Sequence, residues 1–199
     1  MNTDKLKRMI RETIESSRSD FAKRIEIIAI ITEAMKDIGV KPVIVGGHAV
    51  EFYTSGGYAT MDIDMLCTCS IYEVNSILKS LGFDKEGKYW VLTDENIDIA
   101  IEVPSGPLAG DSDRLTKVEI NEGLNAYFIG IEDIIIDRLN RYKHWGEYSD
   151  EEWIIGMIIL NHEEIDWEYV YKRAEEERTL EEIQEFRKKS EEDMKEMKD

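Results

Sequence analysis

Lys41-Pro42-Val43-Ile44-Val45-Gly46-Gly47-His48-Ala49-Val50, followed by Thr60-Met61-Asp62-Ile63-Asp64-Met65-Leu66, decides the fold of this 199-residue chain. The first stretch is an apolar run opening into two glycines. That pattern predicts a buried strand over 42–45 leading into a short helix over 47–54. Ser55-Gly56-Gly57 reads as a turn. In the second stretch acidic and apolar residues alternate. A strand over 60–67 therefore puts Asp62 and Asp64 on one face, with Cα atoms about 7 Å apart. A helix N-terminus offers backbone N–H groups to a phosphate, and paired carboxylates are hard oxygen ligands for a divalent cation. Together the two stretches predict a site for a metal-bound nucleotide.

Upstream of these stretches, residues 3–18 and 20–38 read as helices. Asp20 is the expected N-cap of the second, and Phe21, Ile25, Ile28, Ile31 and Met35 recur at helical spacing before Gly39 ends it. Downstream, a helix over 70–81 stops at Gly82. Strands over 88–93 and 97–103 form a hairpin around Asp94-Glu95-Asn96, and strands over 116–120 and 125–129 form another around Glu122-Gly123. From Ile131 onward the pattern is helical: 131–145, 150–162, 166–177 and 179–197. The start of the last of these, Leu180-Glu-Glu-Ile-Gln-Glu-Phe-Arg187, keeps apolar residues at 180, 183 and 186 only, and the helix reads as solvated beyond Phe186. Trp90, Trp145, Trp153 and Trp167 read as core or helix-packing residues. The order of elements predicts an α+β fold. It has a mixed, mostly antiparallel sheet of four to six strands with flanking helices on one face. A domain over 1–145 is followed by a helical C-terminal extension over 146–199.

An apolar content of 42% supplies a core, and a net charge of −18 repels nucleic acid and anionic membrane, which argues against non-specific binding to either. The segment 163–199, with 15 acidic and 8 basic residues, carries −7 of that charge, so the acidity is not confined to the tail. No run approaches the ~18 apolar residues of a membrane span, and the charged N-terminus lacks a signal-peptide core. A cytoplasmic location is expected. Cys67 and Cys69 are the sole cysteines, one residue apart; they fit a reduced compartment and fall short of the four ligands of structural zinc.

Gly46-Gly47, then Asp62-Ile63-Asp64, then a strand with a single acid in Asn96-Ile97-Asp98-Ile99-Ala100, resembles the polymerase-beta-like nucleotidyltransferase superfamily. The likeness is to its minimal members, related to AbiEii-type toxins and to MNT antitoxins. It covers roughly residues 40–145. The resemblance implies a nucleotidyltransferase-like fold, an NTP as substrate and two Mg²⁺ ions clamping the attacking and leaving oxygens. It implies Asp62, Asp64 and Asp98 as metal ligands and catalytic groups, Asp98 also serving the incoming hydroxyl as base. Gly46 and Gly47 would approach the β- and γ-phosphates, and Thr60 would touch phosphate or sugar unless it is an ordinary strand residue. Two departures stand out: a long gap from Gly47 to Asp62, and Tyr58 where relatives often carry arginine.

No Lys or Arg lies between Lys41 and Lys79, so a phosphate counter-charge has to come from elsewhere. The stretch Glu132-Asp133-Ile134-Ile135-Ile136-Asp137-Arg138-Leu139 resembles one in which the related toxins carry a basic residue. Arg138 and Lys143 are accordingly the expected phosphate-binding cations, the alternative for this helix being intrahelical pairing such as Asp137–Arg141. His48, just after the glycines, is a candidate hydrogen-bonding partner for the nucleotide. The expected function is Mg²⁺-dependent transfer of a nucleotidyl group from an NTP to a hydroxyl. The acceptor is a protein side chain, a tRNA 3′ end served by a groove of Arg114, Lys117, Arg138, Arg141 and Lys143, or a small molecule, with a toxin–antitoxin setting among the options. The alternative is a non-catalytic, antitoxin-like module that binds nucleotide or a partner protein.

Overall fold

A computed structural model describes residues 2–121 and 123–197. Glu122, where the second hairpin turn was expected to sit, lies outside the described residues. The chain forms two compact units. The first comprises the chain up to His48, Thr60–Leu108 and Leu115–Phe128; the second comprises Ala49–Ala59, Ala109–Arg114 and everything from Ile129.

The first unit holds the whole sheet. Its strands are β1 (Val43–Val45), β2 (Asp62–Leu66), β3 (Asp84–Glu86), β4 (Tyr89–Asp94), β5 (Ile97–Glu102), β6 (Thr116–Glu119) and β7 (Asn125–Phe128), in the order β3-β4-β5-β2-β1-β7-β6. Four of the neighbouring pairs are antiparallel; β1–β7 and β2–β5 are parallel. The sheet is mixed and mostly antiparallel as expected, with one strand beyond the expected four to six. That strand is β3, three exposed residues at the edge, whose polar sequence carries no alternation to read.

Helices α1 (Thr3–Glu15), α2 (Asp20–Met35) and α4 (Ile71–Leu81) pack on one another, and α2 lies on β7. In α2, Ile25, Ile27, Ile28, Ile30 and Ile31 are all buried. A helix apolar all round belongs in a core, and each such isoleucine contributes about 1.5–3 kcal/mol of burial. Its N-cap is Ser19, whose hydroxyl accepts from the Ala22 N–H, and not Asp20, which is the first helical residue. At α4, Ser70 and Glu73 form a reciprocal capping box, and Gly82 closes the helix with φ +105°. Ser70→Ala is expected to lower stability by about 1 kcal/mol, read as a shifted midpoint in urea with an unchanged slope.

The second unit is built on α5 (Ile131–Asn140), α6 (Asp150–Asn161), α7 (Trp167–Glu176) and α8 (Leu180–Glu196), with α5 prolonged by a π-helical turn over Arg141–Trp145. Asp133 is fully buried and accepts from the Tyr169 hydroxyl (2.8 Å), the Asp111 N–H (2.8 Å) and Arg173 (3.3 Å). In α8, Ile183, Phe186 and also Ser190 are buried, so the helix stays packed a turn beyond Phe186. The Ser190 hydroxyl donates to the Phe186 carbonyl, which lets a small polar residue sit against the neighbouring helix. Trp145 is 75% exposed, contrary to the core placement expected of it. Among the described residues no helix is long and apolar enough to cross a membrane.

Candidate active site

Three strand ends in the first unit assemble the site. β1 and β2 pair antiparallel with Val45 opposite Asp64, so the glycines that follow β1 arrive beside Asp64. β2 and β5 pair parallel with Asp62 opposite Ala100 and Asp64 opposite Glu102. Asp62 and Asp64 lie on one face by strand alternation, and Glu102 joins them from the next strand. One carboxylate oxygen of each of Asp62, Asp64 and Glu102 lies within 4.8 Å of the others, all three residues half-buried. Like charges at that separation repel by about 1–3 kcal/mol per pair between water-like and surface-like dielectrics. A divalent cation removes that repulsion, and carboxylate oxygens are the ligands it prefers. The donor set therefore fits a hard metal ion.

Gly46 is shaped by the same geometry. It opens α3 (Gly46–Tyr53) with φ +62°, and a Cβ placed on it would lie 2.2 Å from Asp64 Oδ2. The second carboxylate occupies the space a side chain would fill. On the other flank the Thr60 hydroxyl donates to Asp62 Oδ1 (3.2 Å), fixing that carboxylate, and Arg24 donates to the Thr60 carbonyl (3.2 Å). Lys88 Nζ lies 2.6 Å from Glu102 Oε2; that hydrogen bond holds the Lys88 ammonium above its ordinary pKa.

Several residues singled out in the sequence stand elsewhere. Asp98 does not join Asp62 and Asp64: it is exposed, faces Thr93 of β4, and lies ~13 Å along β5 from Glu102. Asp98 and Glu102 share one face of β5, so alternation could not choose between them. The parallel register with β2 does, and no local signal in the sequence encodes it. Arg138 is 1% exposed, with Nη1 3.6 Å from Asp150 Oδ1. Lys143 Nζ lies 2.9 Å from Glu182. Both expected phosphate-binding cations are thus engaged by carboxylates of the second unit. His48, expected as a hydrogen-bonding partner for the nucleotide, is buried, its ring centroid 6.0 Å from that of Phe21. Arg24 and Lys88 were missed because their places depend on α2 meeting the start of β2 and on Tyr89 lying opposite Glu102. Cys67 and Cys69 are free, and burial pushes the Cys67 thiol up to about 12, far from the thiolate a metal needs.

A mixed sheet that gathers three carboxylates beside a Gly-Gly helix start fits a nucleotidyltransferase. The chain belongs to the DUF6036 family, nucleotidyltransferases of unknown function, which it matches over residues 22–198. No curated protein matches it. Its fold is shared by an antigenic nucleotidyltransferase-like protein from Paracoccidioides brasiliensis, 19% identical with a TM-score of 0.53 over 71% of this chain and 76% of that one. It is shared as well by ANT(2'')-Ia, solved in complex with adenylyl-2''-tobramycin: 16% identical, TM-score 0.51, over 78% of this chain and 97% of that one.

Proposed function

We propose that this nucleotidyltransferase is Mg²⁺-dependent and uses Asp62, Asp64 and Glu102 to hold the metal while a nucleotidyl group passes from an NTP to an acceptor hydroxyl. The observation that carries the reading is the convergence of those three carboxylates within 4.8 Å. When bound, the metal supplies charge neutralisation on the phosphates and acidifies the attacking hydroxyl. The chain's own groups do the rest. Gly46 and Gly47 let backbone approach the β- and γ-phosphates at the start of α3. Thr60 keeps Asp62 in one rotamer through its hydrogen bond. The acceptor oxygen forms a bond to the α-phosphorus, the bond from that phosphorus to the bridging oxygen breaks, and pyrophosphate leaves. The acceptor's proton goes to the Glu102 carboxylate.

For the acceptor, charge is the guide. Of the five residues from which a tRNA-binding groove could be built, Arg114 pairs with Asp166, Arg138 and Arg141 with Asp150, and Lys143 with Glu182. With a net charge of −18 as well, a hydroxyl on a protein or a small molecule suits the chain better than a tRNA end. The adenylyl-2''-tobramycin bound to ANT(2'')-Ia makes a small-molecule hydroxyl the acceptor class to test first. The resemblance to AbiEii-type toxins and MNT antitoxins adds a toxin–antitoxin role to this reading, which a neighbouring reading frame for a small helical protein would support. The test is incubation with each α-phosphate-labelled NTP, Mg²⁺ and either cell extract, tRNA or aminoglycosides. Label is expected in one acceptor fraction and absent with an Asp62→Asn/Asp64→Asn double variant. No transfer under any condition would favour the non-catalytic binding module.

A further inference from the structure

We propose that Lys88 is a built-in competitor for the metal site, its ammonium holding Glu102 and thereby setting how tightly the acidic group takes a divalent cation. This rests on the reading of Asp62, Asp64 and Glu102 as the metal ligands. The register of the β4–β5 hairpin puts Tyr89 opposite Glu102, so Lys88, the residue just before β4, stands next to the position facing the third carboxylate. Its Nζ reaches Glu102 Oε2 at 2.6 Å, a charge-assisted contact on an oxygen of the metal-ligand residue. An ammonium there holds the same carboxylate that a metal needs and repels an arriving cation.

The two side chains are unequal. That of Lys88 is 60% exposed and that of Glu102 23% exposed. The lysine stem can swing into water while the carboxylate stays on its strand. Lys88 therefore tunes the site instead of closing it, because an exposed pair is weak and is screened by salt. Lys85, on the adjoining β3, provides the internal comparison. Its Nζ sits over the Trp90 ring at 3.1 Å and donates to the Lys88 carbonyl at 3.0 Å. It makes no ion pair with the acidic group among the described residues, so it contributes a nearby charge without the contact.

The test is calorimetric titration of Mn²⁺ into the full chain without nucleotide, comparing the wild type with Lys88→Met and Lys85→Met. Methionine keeps the stem and removes the charge. Lys88→Met is expected to bind Mn²⁺ roughly two- to five-fold more tightly, with the gain shrinking as NaCl is raised. Lys85→Met is expected to change the affinity less. Equal or weaker binding by Lys88→Met, or the same gain in Lys85→Met, overturns the inference while leaving the metal site standing. If neither the wild type nor Lys88→Met takes up Mn²⁺, the inference falls together with the metal reading beneath it.

Discussion

Gly46→Ala is expected to reduce nucleotidyl transfer by about 10²-fold while lowering the melting temperature by only a few degrees. Two consequences of one methyl group separate these effects. The backbone at Gly46 has φ +62°, where an L-residue carries a penalty of roughly 1–2 kcal/mol. In a chain of this size that is a loss of a few degrees. The new Cβ would also lie 2.2 Å from Asp64 Oδ2, but its contacts there are with the side chain of Asp64 and not with backbone. The carboxylate can rotate away without unfolding anything. With Asp64 as the proposed metal ligand, a displacement of about an ångström is enough to lose two orders of magnitude in rate. Differential scanning calorimetry beside a labelled-NTP assay checks both halves. Full activity would show that Asp64 does not need the space Gly46 leaves, and outright unfolding would show that its side chain cannot give way to the new Cβ.

Glu102→Gln is expected to lower transfer by about 10²-fold or more, and Asp98→Asn to leave it within two-fold. The amide keeps the shape of Glu102 but removes one of the three charges that converge within 4.8 Å. Removing one preorganised electrostatic group from a site of this kind has effects of that size. Folding should survive, because the substitution also relieves repulsion from Asp62 and Asp64. Asp98 is an exposed residue beside Thr93, remote from the other two acids, and its loss should be silent.

The contrast between these two acids shows where the sequence is informative. Alternation in Asp62-Ile63-Asp64 and the Gly46-Gly47 break are local, and the strand, the helix start and the carboxylate face follow from them directly. The helices and hairpins were legible for the same reason, to within a few residues at their ends. The third carboxylate depends on a parallel register between strands more than thirty residues apart, and period-two alternation assigns Asp98 and Glu102 to the same face with equal right. The cations around the acidic group are hidden in the sequence for a related reason. The stretch from 42 to 78 holds no Lys or Arg, and the resemblance points to Arg138 and Lys143, near the C-terminal end of α5, for the counter-charge. Arg24 and Lys88 reach the acidic group's surroundings through tertiary contacts that no spacing reveals. Asp150 was equally unreadable as the partner of Arg138, since the pair joins two helices.

The most direct test of the central claim, that Asp62, Asp64 and Glu102 form the metal site of a nucleotidyltransferase, sets Glu102→Gln beside Asp98→Asn in one assay. Each purified variant is mixed with α-phosphate-labelled NTP, Mg²⁺ and the acceptor fraction that the wild type labels. Loss of label with Glu102→Gln and full label with Asp98→Asn is the result predicted here. Full label with Glu102→Gln, or its loss with Asp98→Asn, would contradict the assignment of the site.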